Sequence, residues 1–266
     1  SRPFSHPRGL AVRDSVRSSA VETFVVETGD SAFRVLRIVD VFNDGVIDSL
    51  AQVTGSAGER VTTSPILSGR SDDNACLLGT ETGRLLSLDL LTGTLSVASS
   101  GNTGAITSVT QLPGSLPSSP WDVFVVSGSR LSGGGTSVIL PDSGTAWYVL
   151  GVQTSQGPMV VAAGGSTVVG YSRDLLRLQF RSQAVPGVIR SIAAADLDRD
   201  GRKEFVLATS AGAVVLNENG VILPGFPAVP EVGASLSGTI VIGDVAGNAD
   251  LELVGVSSGG QLWMWD

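Results

Sequence analysis

The chain of 266 residues has almost none of the side chains on which disulfide, zinc and serine-nucleophile chemistry depend. It contains one cysteine, Cys76, and one histidine, His6. A single cysteine excludes an intrachain disulfide, and one cysteine with one histidine cannot build a zinc site of the usual kinds. A serine nucleophile generally needs a histidine base, and the single histidine, His6, lies in a terminal segment. The composition therefore predicts a protein that is not an enzyme.

Positive charge is also scarce. Lysine and arginine together number 17 against 25 acidic residues, which gives a net charge of −8 and a pI near 4.6. A chain without a basic face cannot neutralise a phosphate backbone, so nucleic acid is excluded as a partner. No apolar run approaches the roughly 20 residues of a membrane helix, so the chain is not expected to span a membrane.

What the sequence has in abundance is strand and turn chemistry. It holds 34 glycines, and its apolar residues fall in short runs bounded by Gly, Pro, Ser or Asp. One phrase recurs: an apolar run, a small-residue turn with glycine, and a second apolar run. Each such phrase predicts a β-hairpin. The phrases begin at Phe24, Cys76, Trp121, Met159, Phe205 and Leu253, and the one at Trp121 fits only if its turn is enlarged.

Six hairpins over this length give about 44 residues for each unit, which is typical of a four-stranded propeller blade. The sequence therefore predicts an all-β fold, a single β-propeller domain of about six four-stranded blades. The expected blades are residues 9–60, 61–103, 104–143, 144–184, 187–232 and 236–266. The last phrase lacks a fourth strand, and we expect residues 1–8 or another segment to supply it. The alternative is that the chain is part of a larger propeller.

The most distinctive motif is the acidic loop that precedes the hairpin at Phe205. Side-chain oxygens on alternate residues, then a glycine and a later carboxylate, are the usual arrangement of a Ca²⁺ loop. The expected ligands are the side chains of Asp196, Asp198, Asp200 and Glu204 and the backbone carbonyl of Arg202. An EF-hand would place its closing glutamate at the twelfth position, which is Leu207 here. The loop is therefore expected between strands, and clustered carboxylates favour a bound cation.

A second version of the loop follows 48 residues later. Here Ala246 and Ala249 replace a ligand and the turn glycine. The remaining candidate ligands are Asp244, Asn248, Asp250 and Glu252. A third acidic segment, Ser68–Asn74, is interpreted as a polar turn.

These segments resemble the FG-GAP (integrin α-like, VCBS-type) repeat of extracellular β-propellers. The phrases IAAADLDRDGRKEFVLAT and IVIGDVAGNADLELVGV follow that repeat, and so does the connecting segment NENGVILPGFPAV. The resemblance covers residues 188–266. It implies that Ca²⁺ in the loop is a structural ion that braces the blade. It also implies a secreted, cell-surface or periplasmic protein with a role in adhesion.

The sequence therefore predicts a non-enzymatic extracellular Ca²⁺-binding propeller that recognises a protein or a polysaccharide. Two alternatives remain open at this stage. The chain could be a structural subunit of a larger surface assembly, or an enzyme that cleaves polysaccharides with carboxylates at the propeller mouth. Trp263 and Trp265 alternate on one face of a strand, where they are expected to pack between blades; a stacking platform for a ligand is the alternative.

Overall fold

Every regular element that the computed structural model describes is a β-strand. The described residues are 6–14, 21–29, 32–40, 49–56, 58–67, 75–114, 121–141, 146–229, 235–248 and 250–265, and they contain no helix. The chain divides into two compact units, Ser1–Gly128 and Ser129–Asp266.

The first unit is built from antiparallel sheets. The strands β1 to β4 form one sheet in chain order, β5 to β8 form another in chain order, and β9 pairs with β10. Their bounds are β1 His6–Asp14, β2 Val21–Thr28, β3 Ala32–Asp40, β4 Ser49–Ser56, β5 Ile66–Leu67, β6 Ala75–Gly79, β7 Leu85–Asp89, β8 Leu95–Ser99, β9 Ile106–Leu112 and β10 Asp122–Ser127. Phe24, Phe33, Leu78 and Leu88 are among the buried residues of a cluster shared by the first two of these sheets.

The second unit repeats the same pattern. The hairpin β11–β12 is followed by the sheet β13 to β16, the sheet β17 to β19 and the sheet β20 to β22, each in chain order. The bounds are β11 Arg130–Gly133, β12 Thr136–Ile139, β13 Trp147–Thr154, β14 Gly157–Gly164, β15 Thr167–Ser172, β16 Leu178–Arg181, β17 Ile189–Ala195, β18 Glu204–Thr209, β19 Gly212–Leu216, β20 Leu236–Gly243, β21 Glu252–Ser257 and β22 Leu262–Trp265.

The sheet β17–β19 lies between two other sheets, so its strands β18 and β19 are buried on both faces. All residues of β18 and β19 are buried. One face contributes Phe205, Leu207 and Val214 to a cluster with β14 and β15, while the other face packs against β20 and β21. A run buried on both faces contains few polar residues, which is why these strands read as continuous apolar runs.

Residues after β19 supply a fourth, irregular strand to its sheet. Ala213 and Ala228 exchange backbone hydrogen bonds of 2.9 and 2.8 Å, and the Leu223 N–H donates to the Val215 carbonyl at 2.9 Å. This segment belongs to the phrase NENGVILPGFPAV that the sequence singled out. Its Glu218 is buried and accepts a hydrogen bond from the Ser155 N–H, so the segment also contacts the turn between β13 and β14.

The enlarged turn expected after Trp121 does not occur. The chain instead makes tight turns at residues 128–129 and 134–135, and the latter joins β11 to β12. Gly128, Gly134 and Gly135 have φ of +58°, +56° and +78°, a region that only glycine adopts readily. Two glycine turns lie within eight residues of each other, so the sequence pattern indicates one enlarged turn where the structure has two tight ones.

The predicted closing strand lies partly outside the described residues. His6 and Pro7 belong to β1, where they stand opposite Thr28 and Glu27 of β2. Residues 1–5 are among those that the structure does not describe, so closure by the N-terminal segment stays a prediction.

Candidate metal centre

The first acidic loop, residues 196–204, connects the end of β17 to the start of β18. Glu204 pairs with Ala195 at the first position of the ladder, which fixes the closing carboxylate against the sheet. Arg199 and Gly201 have φ of +60° and +86°, and these two left-handed residues turn the chain back toward β18. The sequence predicted the glycine for this turn but gave no signal for the left-handed arginine.

Three carboxylates of the loop converge. One oxygen from each of Asp196, Asp198 and Glu204 lies within 4.8 Å of the others. Glu204 is only 5% exposed, Asp196 is half-buried and Asp198 is exposed. In the described part of the chain, no other group of three His, Cys, Asp or Glu side chains comes together in this way.

The loop backbone holds each of these carboxylates in place. The Gly201 N–H donates to Asp196 Oδ2 at 3.1 Å, the Asp200 N–H to Asp198 Oδ1 at 3.1 Å, and the Leu197 N–H to Glu204 Oε2 at 2.8 Å. Asp196 Oδ1 is buried and accepts no hydrogen bond. A buried carboxylate oxygen without a donor is costly unless a cation contacts it, so the donor set fits a hard divalent ion.

Asp200 does not enter this group. Asp200 Oδ1 accepts the Arg202 N–H at 2.8 Å, and its other oxygen lies 3.9 Å from Arg202 Nε. The sequence named five ligands, and the structure brings the side chains of three of them together.

Burial and charge act in the same direction on Glu204. Burial raises the pKa of its carboxyl, and the nearby carboxylates of Asp198, Asp200 and Asp196 raise it further, against the Leu197 N–H, which lowers it. The loop therefore binds a proton more readily than an isolated glutamate does. A bound cation would reverse this balance, because it favours the ionised form.

We expect the chain without divalent cations to lose stability as pH rises through the folded pKa of Glu204. A carboxyl whose folded pKa is raised contributes stability that is complete below its unfolded value, about 4.3, and is lost above the folded value. Glu204→Gln should remove this loss. Urea midpoints in chelator between about pH 4 and pH 8 measure it.

Asp174→Asn is the control for that experiment. The Ser172 hydroxyl and the Leu176 N–H lower the pKa of Asp174, so its contribution is lost as pH falls and not as it rises. Asp174→Asn should therefore lose stability with rising pH to the same extent as the wild type. Equal pH dependence in the wild type and Glu204→Gln would contradict the assignment.

The second loop, residues 244–252, repeats the framework of the first. The Val245 N–H donates to Glu252 Oε2 at 2.7 Å, as the Leu197 N–H does to Glu204. The Asp250 N–H donates to Asn248 Oδ1 at 2.9 Å, as the Arg202 N–H does to Asp200. In both cases the donor and the acceptor of the second loop lie 48 residues after those of the first loop. The repeat seen in the sequence is therefore also a repeat of hydrogen bonds.

The second loop differs in what its carboxylates contact. Glu252 is fully buried; its Oε2 also accepts the Ala246 N–H at 3.2 Å, while its Oε1 is buried without a partner. Asp250 Oδ1 accepts a hydrogen bond of 3.0 Å from Arg199 of the first loop. Among the described residues, Asp244, Asp250 and Glu252 do not form a group comparable to the first. The ion pair with Arg199 links the two loops, and the sequence gave no signal for it.

The remaining candidates lie elsewhere. The acidic segment Ser68–Asn74 falls outside the described residues. Trp265 packs against the cluster between the last two sheets, as predicted, whereas Trp263 is not among the residues of that cluster. The Nε1 of Trp263 is buried without a hydrogen-bond partner.

Comparison with known proteins identifies the fold. No protein-family model matches the chain, and no curated protein sequence matches it. It is similar to two crystal structures of BBS1N in complex with ARL6DN, one soaked with lead and one with mercury, with TM-scores of 0.65 and 0.63. Identity is 15% in both, over 97% of this chain and 78% of the BBS1N chain. The likeness and the antiparallel sheets together support a β-propeller-like fold.

The described residues include no helix long and apolar enough to cross a membrane.

Proposed function

We propose that the chain is a non-enzymatic, Ca²⁺-stabilised β-propeller that binds another macromolecule. The observation that carries the proposal is the convergence of Asp196, Asp198 and Glu204, with one oxygen of Asp196 buried and unpartnered. Ca²⁺ is the hard divalent ion that takes such carboxylate oxygens with least demand on geometry. The likeness to the FG-GAP repeat supports the same ion.

The ion would act as a brace between neighbouring strands. Asp196 follows the last residue of β17, and Glu204 is the first residue of β18. A cation held by both would tie the two strand ends together and neutralise carboxylates that otherwise repel one another. The sequence also predicts Asp200 and the Arg202 carbonyl as ligands; since Asp200 Oδ1 accepts the Arg202 N–H, Asp200 would act mainly through its charge.

The second loop is the weaker site. The unpartnered Oε1 of Glu252 supports a cation there, with Asp244, Asn248 and Asp250 as the other candidate ligands. Its Asp250 already faces the guanidinium of Arg199, which supplies part of the positive charge. The first loop is therefore the site that should dominate any measured binding.

The architecture that fits these features is a propeller of about six blades, one for each predicted hairpin phrase. The segments proposed as blades each contain one group of strands. Closure by residues 1–8 and membership of a larger propeller are the two ways in which such a ring could be completed.

The proposed ligand is a protein or a polysaccharide, and the proposed location is the cell surface, the periplasm or the medium. The BBS1N structures to which the chain is similar contain a protein partner, ARL6DN. A Ca²⁺ brace suits an extracellular module, since sites in such modules work at millimolar Ca²⁺. The net charge of −8 disfavours an acidic partner such as nucleic acid.

We expect Ca²⁺ to raise the melting temperature and a chelator to lower it. Ca²⁺ at about 100 times its Kd adds roughly 2.7 kcal/mol to the free energy of unfolding. At about 2–4 °C for each kcal/mol in a chain of this size, the melting temperature should rise by about 5–10 °C. Differential scanning calorimetry with Ca²⁺ and with EGTA measures this shift.

Asp198→Asn should abolish most of the shift, because the amide keeps the acceptor for the Asp200 N–H but loses the charge. Asp174→Asn is a matched control: Asp174 is exposed and its Oδ1 accepts the N–H two residues later, as Asp198 Oδ1 does. That variant should keep the full shift. Identical wild-type melting in Ca²⁺ and EGTA would overturn the metal proposal.

A further inference from the structure

The sheet β20–β22 has one buried face and one open face. Ile240, Leu253 and Trp265 of the buried face pack against the preceding sheet, β17–β19. The open face consists of Val241, Val254, Val256, Leu262 and Met264. Strand register places them together: Val254 stands opposite both Val241 and Met264, and Val256 stands opposite Leu262.

The open face is apolar and accessible to solvent. Val241, Val256, Leu262 and Met264 are 57%, 41%, 71% and 52% exposed, and Val254 is partly buried. All five are aliphatic side chains on adjoining strands, so they form one contiguous surface. Contiguous apolar surface of this kind on a soluble protein marks an interaction site more often than isolated exposed residues do.

The equivalent face of the preceding sheet shows what such a face is built to contact. In β17–β19, Val206 stands opposite Ala193 and Val215, and Ala208 stands opposite Ala213. Each of these residues has a counterpart at the same position of the strand ladder in β20–β22. Taken in order, Ala193, Val206, Val215, Ala208 and Ala213 correspond to Val241, Val254, Met264, Val256 and Leu262. Val206, Ala208, Ala213 and Val215 are completely buried, because Leu236, Ile240 and Leu253 of the next sheet cover them. The open face has the same register, but no sheet among the described residues covers it, and four of its five side chains are exposed.

We propose that the open face is a docking surface for a further β-sheet of the same repeat, which presents aliphatic residues at the positions of Leu236, Ile240 and Leu253. The interface already present between β17–β19 and β20–β22 would then continue by one more sheet. A second copy of this chain cannot offer the same surface, since its own Leu236, Ile240 and Leu253 are buried. Leu262 and Met264 are larger than Ala213 and Val215, so the docking sheet should carry smaller side chains opposite them or stand slightly farther away.

The two methionines of the chain supply a direct probe. Met264 lies on the open face, whereas Met159 is 2% exposed in the core of the same unit. Hydrogen peroxide oxidises accessible methionine to the sulfoxide, and mass spectrometry follows each site separately. In the full chain alone, Met264 should be oxidised at least about tenfold faster than Met159 at every protein concentration.

The docking sheet itself can be supplied by a fusion in which a second copy of residues 217–265 follows Trp265. Trp265 ends β22 as Leu216 ends β19, so the added copy continues the chain as residues 217–265 continue it after Leu216. Met264 of the original sheet should then be oxidised about fivefold or more slowly, while its appended copy stays reactive. A second version with Leu262→Ala in the original sheet removes the larger side chain, and protection in either version supports the proposal. The control fusion carries Asp at the appended copies of Ile240 and Leu253, and it should leave Met264 reactive. A slow Met159 in every sample shows that the fold is intact.

Three outcomes would overturn the proposal. Protection of Met264 that grows with concentration in the unmodified chain would make a second copy the occupant. Slow oxidation of Met264 in that chain at all concentrations would mean that the face is already covered. Failure of both fusions to protect Met264, with Met159 still slow, would mean that a sheet of this repeat does not fit the face. The Ca²⁺ experiments above do not depend on any of these results.

Discussion

Phe205→Ala should lower the stability of the chain by about 3–5 kcal/mol, the usual cost of removing a fully buried phenylalanine ring. Phe205 is completely buried in the cluster between the sheets β13–β16 and β17–β19, and its ring stacks on Phe180 with centroids 5.7 Å apart. The substitution leaves a cavity that this packed interior can fill only in part. At about 2–4 °C for each kcal/mol, the melting temperature should fall by roughly 6–20 °C.

Leu176→Ala is the control for this prediction. Leu176 is 75% exposed, so its truncation should change the free energy of unfolding by less than about 0.5 kcal/mol. Both variants are measured with Ca²⁺ and again with EGTA, so that the packing effect is separated from the metal effect. Equal melting temperatures for Phe205→Ala and the wild type would contradict the packing of the two sheets described here.

The sequence predicted the strands and the acidic loop because both are local patterns. The hairpin that begins at Phe205 is an apolar run, a turn at 210–211 and a second apolar run, and the structure shows β18 and β19 there. The loop before it has three aspartates on alternate residues and a glycine. Local patterns of this kind determine where a chain turns and which residues are brought near one another.

Features that depend on neighbours were not predictable in this way. Val206 and Val254 occupy the same place in successive repeats and read alike in sequence, yet one face is covered and the other is open. The pairing of Arg199 with Asp250 joins residues 51 positions apart, and nothing in either loop indicates it. A four-stranded blade was predicted over 187–232, but the segment that forms its fourth strand was not identified, because its irregular backbone and two prolines conceal the pairing.

The ligand set of the first loop shows the same limit at the scale of single side chains. Spacing alone nominated Asp200 together with Asp196 and Asp198, since all three alternate along the loop. In the folded loop, Asp200 Oδ1 accepts the Arg202 N–H, and Asp200 is not part of the group that includes Glu204. Spacing identifies the residues that can reach a site, whereas the folded loop decides which of their oxygens come together.

Asp196→Asn should weaken Ca²⁺ binding by at least about 100-fold, which corresponds to roughly 2.8 kcal/mol at 1.4 kcal/mol for each factor of ten. The substitution removes one charge from the three-carboxylate group and places an amide where the unpartnered oxygen of Asp196 is buried. Asp200→Asn changes the charge of the same loop by the same amount, but Asp200 lies outside the group. Its effect on affinity should therefore be clearly smaller.

Isothermal titration calorimetry of the chelator-treated chain with Ca²⁺ measures these affinities directly. We expect saturable binding dominated by one site, a loss of that site in Asp196→Asn, and its retention with modestly lower affinity in Asp200→Asn. Absence of binding by the wild type, or the same affinity for the wild type and Asp196→Asn, would contradict the claim that the first loop holds a divalent ion.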